Sequence, residues 1–140
     1  MPGFAHLAAR TCYSLRDGAI RPRELAVAVW ERGMDTVGLA DRDGLYGAVR
    51  VAEACDVVGI RPIFGADLAL AAQPRRPGWE DRRARTFASP GSGPGWLSDA
   101  TARVTLIART QSGYANLCRT ISDHHLESPR GAPHATWEQL

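Results

Sequence analysis

The chain has 140 residues, of which 44% are hydrophobic and 23% charged, and its formal net charge is +2. These values are typical of one globular domain with its own core, and they exclude two domains of ordinary size. The small net charge does not by itself indicate nucleic-acid binding. Because no apolar run could cross a bilayer and no signal peptide is present, we predict a cytoplasmic protein without a membrane partner.

The three cysteines, Cys12, Cys55 and Cys118, lie far apart and form no Cys-x-x-Cys motif. Their odd number and wide spacing indicate reduced, mostly buried thiols rather than a disulfide framework or a zinc site. All 17 basic residues are arginine. A GC-rich genome would produce the same bias, so we give it little functional weight.

Strands and helices are predicted to alternate through the first half of the chain. The predicted elements are a short buried strand over 4–9, a polar loop over 11–18, a helix over 22–32, a strand over 36–40, a second helix ending at Gly59, and a strand over 61–72. The Ala-rich first strand also fits a helix. In the last strand, Asp67 is expected on a different face from Leu68 and Leu70. Such alternation with short connections predicts an α/β fold with a parallel sheet.

The stretch from Ala40 to Gly44 (Ala-Asp-Arg-Asp-Gly) stands at the end of a predicted strand. In α/β proteins the carboxyl ends of strands are where sites are usually built. Asp43 is placed to cap the helix that follows, because its carboxylate could accept from the free amides of the first turn. The inner stripe of this helix is predicted to be Leu45, Val49 and Ala52.

Residues 73–102 interrupt the pattern with four prolines, four glycines and five arginines. We predict a disordered, solvated insertion within a single domain that spans 1–140. The alternative is an Arg-rich loop that contacts a phosphate backbone, where Trp79 and Trp96 could add stacking.

After the insertion, a strand is predicted over 104–108, followed by a helix that Ser112 caps. One face of that helix is predicted to carry Tyr114, Leu117, Cys118, Ile121 and His125. A loop follows from Ser128, and a helix begins at Thr136. Because this last helix would be cut short at Leu140, we predict that the chain is a fragment.

None of the four histidines is predicted to be catalytic. His6 is expected to be packed or at the surface, and His134 is expected to be free in the tail. His124 and His125 are adjacent near a helix end, where such residues usually face solvent or interact with the helix dipole.

The remaining polar residues also lack the pattern of a catalytic site. Asp41 and Asp43 could form a general acid–base pair, but no partner nucleophile is evident. The stronger interpretation is that one of them caps a helix and the other meets Arg42. Ser14 and Cys12 have no base at a recognisable spacing, so nucleophilic catalysis is not expected. If an anion binds, we expect it at Arg42 beside a helix N-terminus.

Five stretches, in the right order, resemble the polymerase and histidinol phosphatase (PHP) domain. The stretches are 4–18, 39–50, 59–67, 104–109 and 113–119. The resemblance is strongest to the PHP domains of bacterial C-family DNA polymerases, which are the polymerase III alpha subunit and its error-prone paralogue. It implies an α/β fold, a distorted (β/α)7 barrel of which this chain would form roughly the first half. In active family members, His, Asp and Glu at the strand ends hold divalent ions that activate water against a phosphate ester.

This chain departs from the family pattern at the ligand positions that the resemblance identifies. The family's His-x-His corresponds to Ala8 and Arg10, and its next His corresponds to Arg42. A Glu is replaced by Asp67, and a later His by Arg103. The degenerate set, including a retained aspartate in the first loop, is Ala8, Arg10, Asp17, Arg42, Asp67 and Arg103.

Alanine has no donor atom, and a protonated guanidinium has no lone pair for a metal. We therefore expect no catalytic residue, no bound metal and no cofactor in this chain. Arg10 and Arg42 are instead predicted to form salt bridges with Asp17, Asp41 or Asp67.

Three functions remain open from the sequence. The first is a structural or partner-binding PHP region of an error-prone or replicative DNA polymerase, whose catalytic carboxylates would lie outside these 140 residues. Its partners would be downstream polymerase domains or other polymerase subunits, with DNA contacted indirectly. The second is a stand-alone PHP-type phosphoesterase with an unusual metal site. The third is a non-enzymatic nucleic-acid binder that uses the Arg-rich insertion.

Because half a barrel leaves strand edges unpaired, self-association or marginal folding is also expected.

Overall fold

The described strands lie side by side in one sheet, in the order of the sequence. The computed structural model describes residues 3–70, 102–129 and 133–136. Its strands are β1 (His6–Ala9), β2 (Thr36–Arg42), β3 (Arg61–Ala69) and β4 (Arg103–Ile107). Its helices are α1 (Pro22–Glu31), α2 (Ala48–Val58) and α3 (Gln111–Glu127). The predicted α/β class and the order of these elements are confirmed.

The sheet is parallel only in part. β1 pairs parallel with β2, and β2 pairs parallel with β3, where Arg42 lies opposite Asp67. β4 runs antiparallel to β3, with Arg103 opposite Ala69. The parallel sheet predicted from the first three strands is therefore confirmed, and the fourth strand adds an antiparallel edge. The reversal has a consequence for the site, because it brings the first residue of β4 to the sheet end where β2 and β3 finish.

Two apolar clusters hold the helices against the sheet. The larger is buried between β2 and the helices α1 and α2 and contains Leu25, Val29, Val37, Leu39, Val51 and Cys55, among others. The smaller joins β3 to α3 through Ala66, Leu68 and Leu117. Within the second half of β3 the even-numbered side chains pack under α3 and Asp67 lies on the opposite face, which agrees with the expected alternation.

The second helix begins later than the sequence indicates. Asp43 adopts a left-handed conformation with φ +51°, and the chain turns before α2 starts at Ala48. Asp43 therefore does not cap this helix. The shift also changes the buried face: Val51 is fully buried whereas Val49 is 67% exposed. The predicted stripe through Val49 was wrong, although the helix end at Gly59, with φ +72°, is confirmed.

The helix after β4 is also displaced from its prediction at both ends. Its N-cap is Thr110, whose hydroxyl oxygen accepts from the Gly113 amide at 3.0 Å, so Ser112 is not the cap. Near its C-terminus His124 is buried and His125 is exposed, the reverse of the predicted face. Leu117 and His124 are seven residues apart, which places both on the side that faces the sheet.

Two contacts extend the sheet beyond the predicted elements. The Leu70 amide donates to the Ala102 carbonyl at 2.8 Å, so the last residue of the predicted insertion belongs to the folded part. Leu70 also forms an isolated parallel bridge with Ala135, where a loop and a helix start were predicted. The rest of the insertion and the predicted final helix turn lie outside the described residues. No helix in the described ranges is long and apolar enough to cross a membrane.

β1 forms one edge of the sheet, and no strand of the described residues pairs with its outer side. The prediction of a buried strand was wrong, because an edge strand has a neighbour on one side only. Leu7 is 49% exposed there, and Phe4 just before the strand is also exposed. Open edges with apolar side chains tend to pair with other chains.

We therefore expect the 140-residue chain to self-associate in size-exclusion chromatography with light scattering. Leu7→Lys should shift it toward the monomer, because a charge on an edge strand opposes edge pairing. The control is Val57→Lys, which places the same charge at an exposed apolar position on α2. A monomeric wild type with one sharp thermal transition would contradict the expectation and indicate a complete small domain.

Candidate functional site at the carboxyl end of the sheet

The first loop is anchored to the end of β2 by Asp41, which is fully buried. Its carboxylate accepts from the Thr11 amide at 2.7 Å and from the Ser14 hydroxyl at 2.7 Å. The Thr11 hydroxyl lies 2.9 and 3.0 Å from its two oxygens. Gly47 must be small here, because a Cβ would stand 2.6 Å from Asp41 Oδ2. Asp41 therefore positions the loop and pairs with hydroxyls, not with Arg10 or Arg42 as predicted.

At the same sheet end, three arginines and three aspartates form a closed ring of alternating charge. We call this set the charge ring, and in cyclic order its members are Arg10, Asp17, Arg42, Asp43, Arg103 and Asp67. The six residues come from the ends of β1 and β2, from the first loop, from β3 and from the start of β4. Each arginine contacts two aspartates and each aspartate contacts two arginines, so the formal charge of the ring is zero.

The strongest contacts in the charge ring surround Asp67. Arg10 Nη2 lies 2.6 Å and Arg103 Nε 2.9 Å from Asp67 Oδ2. The Asp67 side chain is only 4% exposed. Charge-assisted hydrogen bonds of this length are about twice as strong as neutral ones, and they offset the cost of burying the carboxylate.

Asp43 is the junction between the charge ring and the rest of the fold. Its Oδ1 accepts from Arg103 Nη2 at 2.8 Å and from the Ala69 amide at 3.1 Å. Its Oδ2 lies 3.7 Å from Arg42 Nε. Its backbone amide donates to the Asp67 carbonyl at 2.9 Å, and its own carbonyl lies 2.6 Å from His125 Nε2. These contacts compensate for a left-handed conformation that costs a non-glycine residue about 1 kcal/mol.

Asp17 is the most exposed carboxylate of the charge ring, at 25% against 16% for Asp43. Arg42 Nη1 donates to its Oδ2 at 2.7 Å, and Arg10 Nη1 lies 3.4 Å from the same oxygen. The hydrogen bond from Arg42 holds the pKa of Asp17 below its ordinary value, and the charges of Arg10 and Arg103 act in the same direction.

His124 lies against the charge ring from inside the core. Its side chain is fully buried, and its Nε2 is 3.5 Å from Asp43 Oδ1. Neither ring nitrogen has a hydrogen-bond partner among the described residues. Burial lowers the pKa of His124 below its ordinary value, and the nearby Asp43 opposes this only in part. The expectation that His124 faces solvent was wrong, because its seven-residue spacing from Leu117 places it on the packed face of α3.

The other predicted residues fall into three places. Ala8 lies on β1 and is exposed, outside the charge ring. His6 is exposed and meets Phe4 edge to face at a ring distance of 4.8 Å. His134 is not isolated in the tail as predicted, because its backbone amide and carbonyl both bond the Ser128 hydroxyl. The Arg-rich insertion and its two tryptophans lie outside the described residues.

The sequence interpretation missed Asp43 as a site residue and His124 as a buried one. The first was assigned to a helix cap, and its sequence context does favour a cap. The clue that could have corrected this was Gly44 and Gly47, which weaken a helix at that point. For His124, a helical stripe continued at seven residues from Leu117 would have placed it inside.

Chemically, the charge ring offers ion pairs between guanidinium and carboxylate groups. Asp41 is satisfied by hydroxyl and amide donors, and the Ser14 hydroxyl both donates to Asp41 and accepts from the Arg42 amide. Within residues 3–70, 102–129 and 133–136, no group of three or more His, Cys, Asp or Glu side chains is arranged to hold a metal ion.

Comparison with known proteins shows the family of this chain. A family model described as the PHP domain matches residues 6–140. The chain belongs to the PHP domain family. Two solved structures resemble this chain in fold: a candidate metal-dependent phosphoesterase from Bifidobacterium adolescentis and an amidohydrolase from Chromobacterium violaceum. Their TM-scores are 0.55 and 0.51, at 16% and 19% identity, and the matches cover 87% and 88% of this chain but 33% and 34% of theirs.

Curated relatives of this PHP chain are named error-prone DNA polymerases. Those from Nocardia farcinica and Mycobacterium bovis are 36% identical over 88% and 98% of this chain, and one from Anaeromyxobacter is 34% identical over 94%. The chain spans only 10–12% of the length of these relatives. The resemblance found in the sequence is thereby confirmed, as is the fold as part of a PHP-type barrel.

Breaking the charge ring at Asp67 should destabilise the PHP fold. Asp67→Asn keeps the shape but leaves Arg10 and Arg103 without their shared counter-ion, which should cost about 3 kcal/mol of the free energy of unfolding. The control is Glu53→Gln, which removes an exposed ion pair with Arg50 and should cost less than about 0.5 kcal/mol. Urea unfolding measures the free energy of unfolding of both variants and of the wild type. If Asp67→Asn is as stable as the wild type, the charge ring carries no net stabilisation.

The buried His124 should make the fold acid-sensitive. Its folded pKa lies below the unfolded value of about 6.5, so the unfolded chain binds the proton first. Stability is then complete above about pH 6.5 and falls as the pH drops toward the folded pKa, by at most about 1.4 kcal/mol per pH unit. Thermal midpoints between pH 8 and 5.5 should fall less steeply in His124→Leu than in wild type. The control is His6→Gln, which removes an exposed histidine of β1 that is not part of the charge ring, and identical slopes in all three proteins would contradict the assignment.

Proposed function

We propose that this chain is a structural PHP region of an error-prone-type DNA polymerase, in which the phosphoesterase chemistry of the fold has been lost. The observation that carries the proposal is the charge ring, which occupies the sheet end where the family holds its metal ions. The region would act in the cytoplasm as a support for other parts of a larger polymerase.

The residues at the ring fit guanidinium groups and do not fit a divalent cation. Arg10, Arg42 and Arg103 bring three positive charges to the place where a cation would sit, and Ala8 supplies no donor. Like charges about 4 Å apart in a partly screened site repel by roughly 4 kcal/mol. Asp67 is already shared between two arginines. We infer that the ring replaces the metal cluster as the element that holds the strand ends together.

The role in a polymerase is supported by the names of the curated relatives. Because the chain covers only 10–12% of their length, nucleotidyl transfer would reside in the remaining part of such a protein. The PHP region would then contact neighbouring polymerase domains or other polymerase subunits, and DNA only indirectly. A relationship of this chain to a replicative polymerase is less supported, because these curated relatives are named error-prone DNA polymerases.

A stand-alone phosphoesterase is the competing function, and the lost ligands at Ala8, Arg10 and Arg42 speak against it. The likeness to the solved structures is below 20% identity and concerns the fold alone. Function depends on the site residues of a fold and not on the fold itself.

Calorimetric titration of the 140-residue chain with Mn2+ and with Zn2+ tests the proposal. We expect no tight binding, because protonated arginines occupy the ligand positions. We also expect no manganese-dependent hydrolysis of a generic phosphomonoester. The matched variant restores the family pattern through Ala8→His, Arg10→His and Arg42→His, and it should gain metal affinity. Tight binding at several sites in the wild type would refute the proposed loss.

A further inference from the structure

A groove separate from the charge ring lies between α1 and α2, and we call it the helix groove. Its volume is about 730 Å³, and none of the six ring residues is among the described residues that line it. Its least exposed lining residues are Cys12 of the first loop, Pro22 of α1, and Ala54 and Val58 of α2. The floor of the helix groove is therefore largely apolar, and its volume is enough for several side chains of a partner.

Apolar side chains on both walls of the helix groove are exposed to solvent. Val27 of α1 is 43% exposed and Val57 of α2 is 80% exposed, and Tyr13 of the first loop is exposed beside them. Trp30 follows Val27 by three residues on α1, so it lies on the same face of the helix, where it is also exposed. Single exposed apolar residues are common, whereas a group of them around one groove indicates an interaction surface.

The charged residues of the helix groove favour an acidic partner. Its described lining contains three arginines and two glutamates, which gives a formal charge of +1. Both glutamates are already engaged: Glu53 lies 3.2 Å from Arg50 Nη1, and Glu24 Oε2 accepts from the Arg21 amide at 3.1 Å. The side chains of Arg21 and Arg23 form no ion pair with any described residue. Carboxylates of a partner would therefore find two unengaged guanidinium groups.

The shape of the helix groove favours a helix over an extended segment or a small molecule. Its walls are helices, whose backbone groups are already paired, so an extended segment would leave its own amides without partners there. A helix satisfies its own backbone, and its side chains pack between those of two neighbouring helices. A small-molecule site needs polar groups directed into an enclosed cavity, but the charged lining residues of this groove are all exposed.

We propose that the helix groove binds an acidic amphipathic helix of a separate polypeptide. Apolar side chains of that helix, spaced at i, i+4 and i+7, contact Val27 and Val57 and cover Ala54. Carboxylates that flank the apolar stripe pair with Arg21 and Arg23. The inference rests on the proposed function, because it names the surface through which the PHP region would contact another polymerase subunit.

Fluorescence anisotropy with the 140-residue chain, in EDTA, tests the groove directly. The probe is a labelled helical peptide of about 15 residues, with leucines at i, i+4 and i+7 and glutamates on both flanks. A second probe replaces the glutamates with lysines. We expect the acidic probe to bind and the lysine probe to bind roughly tenfold more weakly, because only the first complements the rim.

Two variants locate the apolar and the charged contacts. Val57→Asp and Arg23→Glu should each weaken binding of the acidic probe roughly tenfold, and Arg23→Glu should strengthen binding of the lysine probe. The matched controls are Leu126→Asp, at an equally exposed apolar position on α3, and Arg109→Glu, at an exposed arginine after β4. Both controls should leave both affinities unchanged. Because all four positions are exposed, the variants should keep the fold.

The thiols of the chain give a second measurement of where the probe lies. Cys12 lines the helix groove and Cys118 lies on α3, and both are half-buried. The acidic probe should slow alkylation of Cys12 by iodoacetamide and leave the rate at Cys118 unchanged. Mass spectrometry of the labelled peptides measures both rates in one sample.

Equal binding of the two probes, unchanged affinity in Val57→Asp and Arg23→Glu, or an unchanged alkylation rate at Cys12 would overturn the proposal. A dimeric wild type that becomes monomeric in Val57→Asp would show that a second copy occupies the groove, which also overturns it. Failure of peptide binding leaves the proposed loss of the metal site intact, because EDTA is present throughout. Tight metal binding in the earlier titration would refute that loss and not the groove.

Discussion

Charge compensation at the carboxyl end of the sheet is the constraint on which the rest of this structure depends. Three guanidiniums are brought together there, and a partly buried cation is costly unless a counter-ion lies beside it. The three aspartates meet this requirement in alternating order, so no two like charges are neighbours in the ring. The same contacts tie together β1, β2, β3, β4 and the first loop, which are otherwise joined by backbone pairing and apolar packing.

Two aspartates that are nearly adjacent in the sequence serve different purposes in this arrangement. Asp41 points to the helix side of the sheet, where Thr11 and Ser14 hold the first loop through buried hydrogen bonds. Asp43 points into the charge ring and contacts α3 through His125. The loop that Asp41 holds also carries Asp17. The buried hydrogen bonds between Asp41 and uncharged groups therefore support the position of Asp17 in the charge ring.

The position of a family's site and its chemistry are separate properties in this protein. The strand ends bring polar side chains together at one end of the sheet, because strand order and register decide which side chains meet there. In the proposed function, ion-pair partners stand where metal ligands would be, and they give cohesion without a Lewis acid. The ring nitrogens of the buried His124 have no hydrogen-bond partner in the described part of the chain, and Nε2 lies 3.5 Å from Asp43 Oδ1.

The sequence by itself determined the order of strands and helices, the α/β class and the family, because apolar periodicity and the PHP motifs are local patterns. It also identified five of the six residues of the charge ring through family positions, and it predicted that Arg10 and Arg42 pair with Asp17, Asp41 or Asp67. Only the tertiary structure decided that Asp43 joins them and that Asp41 does not. A cap preference is a short-range signal, and here it was overridden by Arg103 and Ala69, which are distant in sequence.

The antiparallel direction of β4 was likewise a tertiary decision, since a strand's own residues do not state which way it runs beside its neighbour. That direction brings Arg103 to the same sheet end as Arg42 and so closes the ring. His124 is buried because it lies seven residues from Leu117, on the face of α3 that packs against the sheet. Local pattern therefore specified which residues are polar and where strands end, and long-range packing specified which of those polar groups meet.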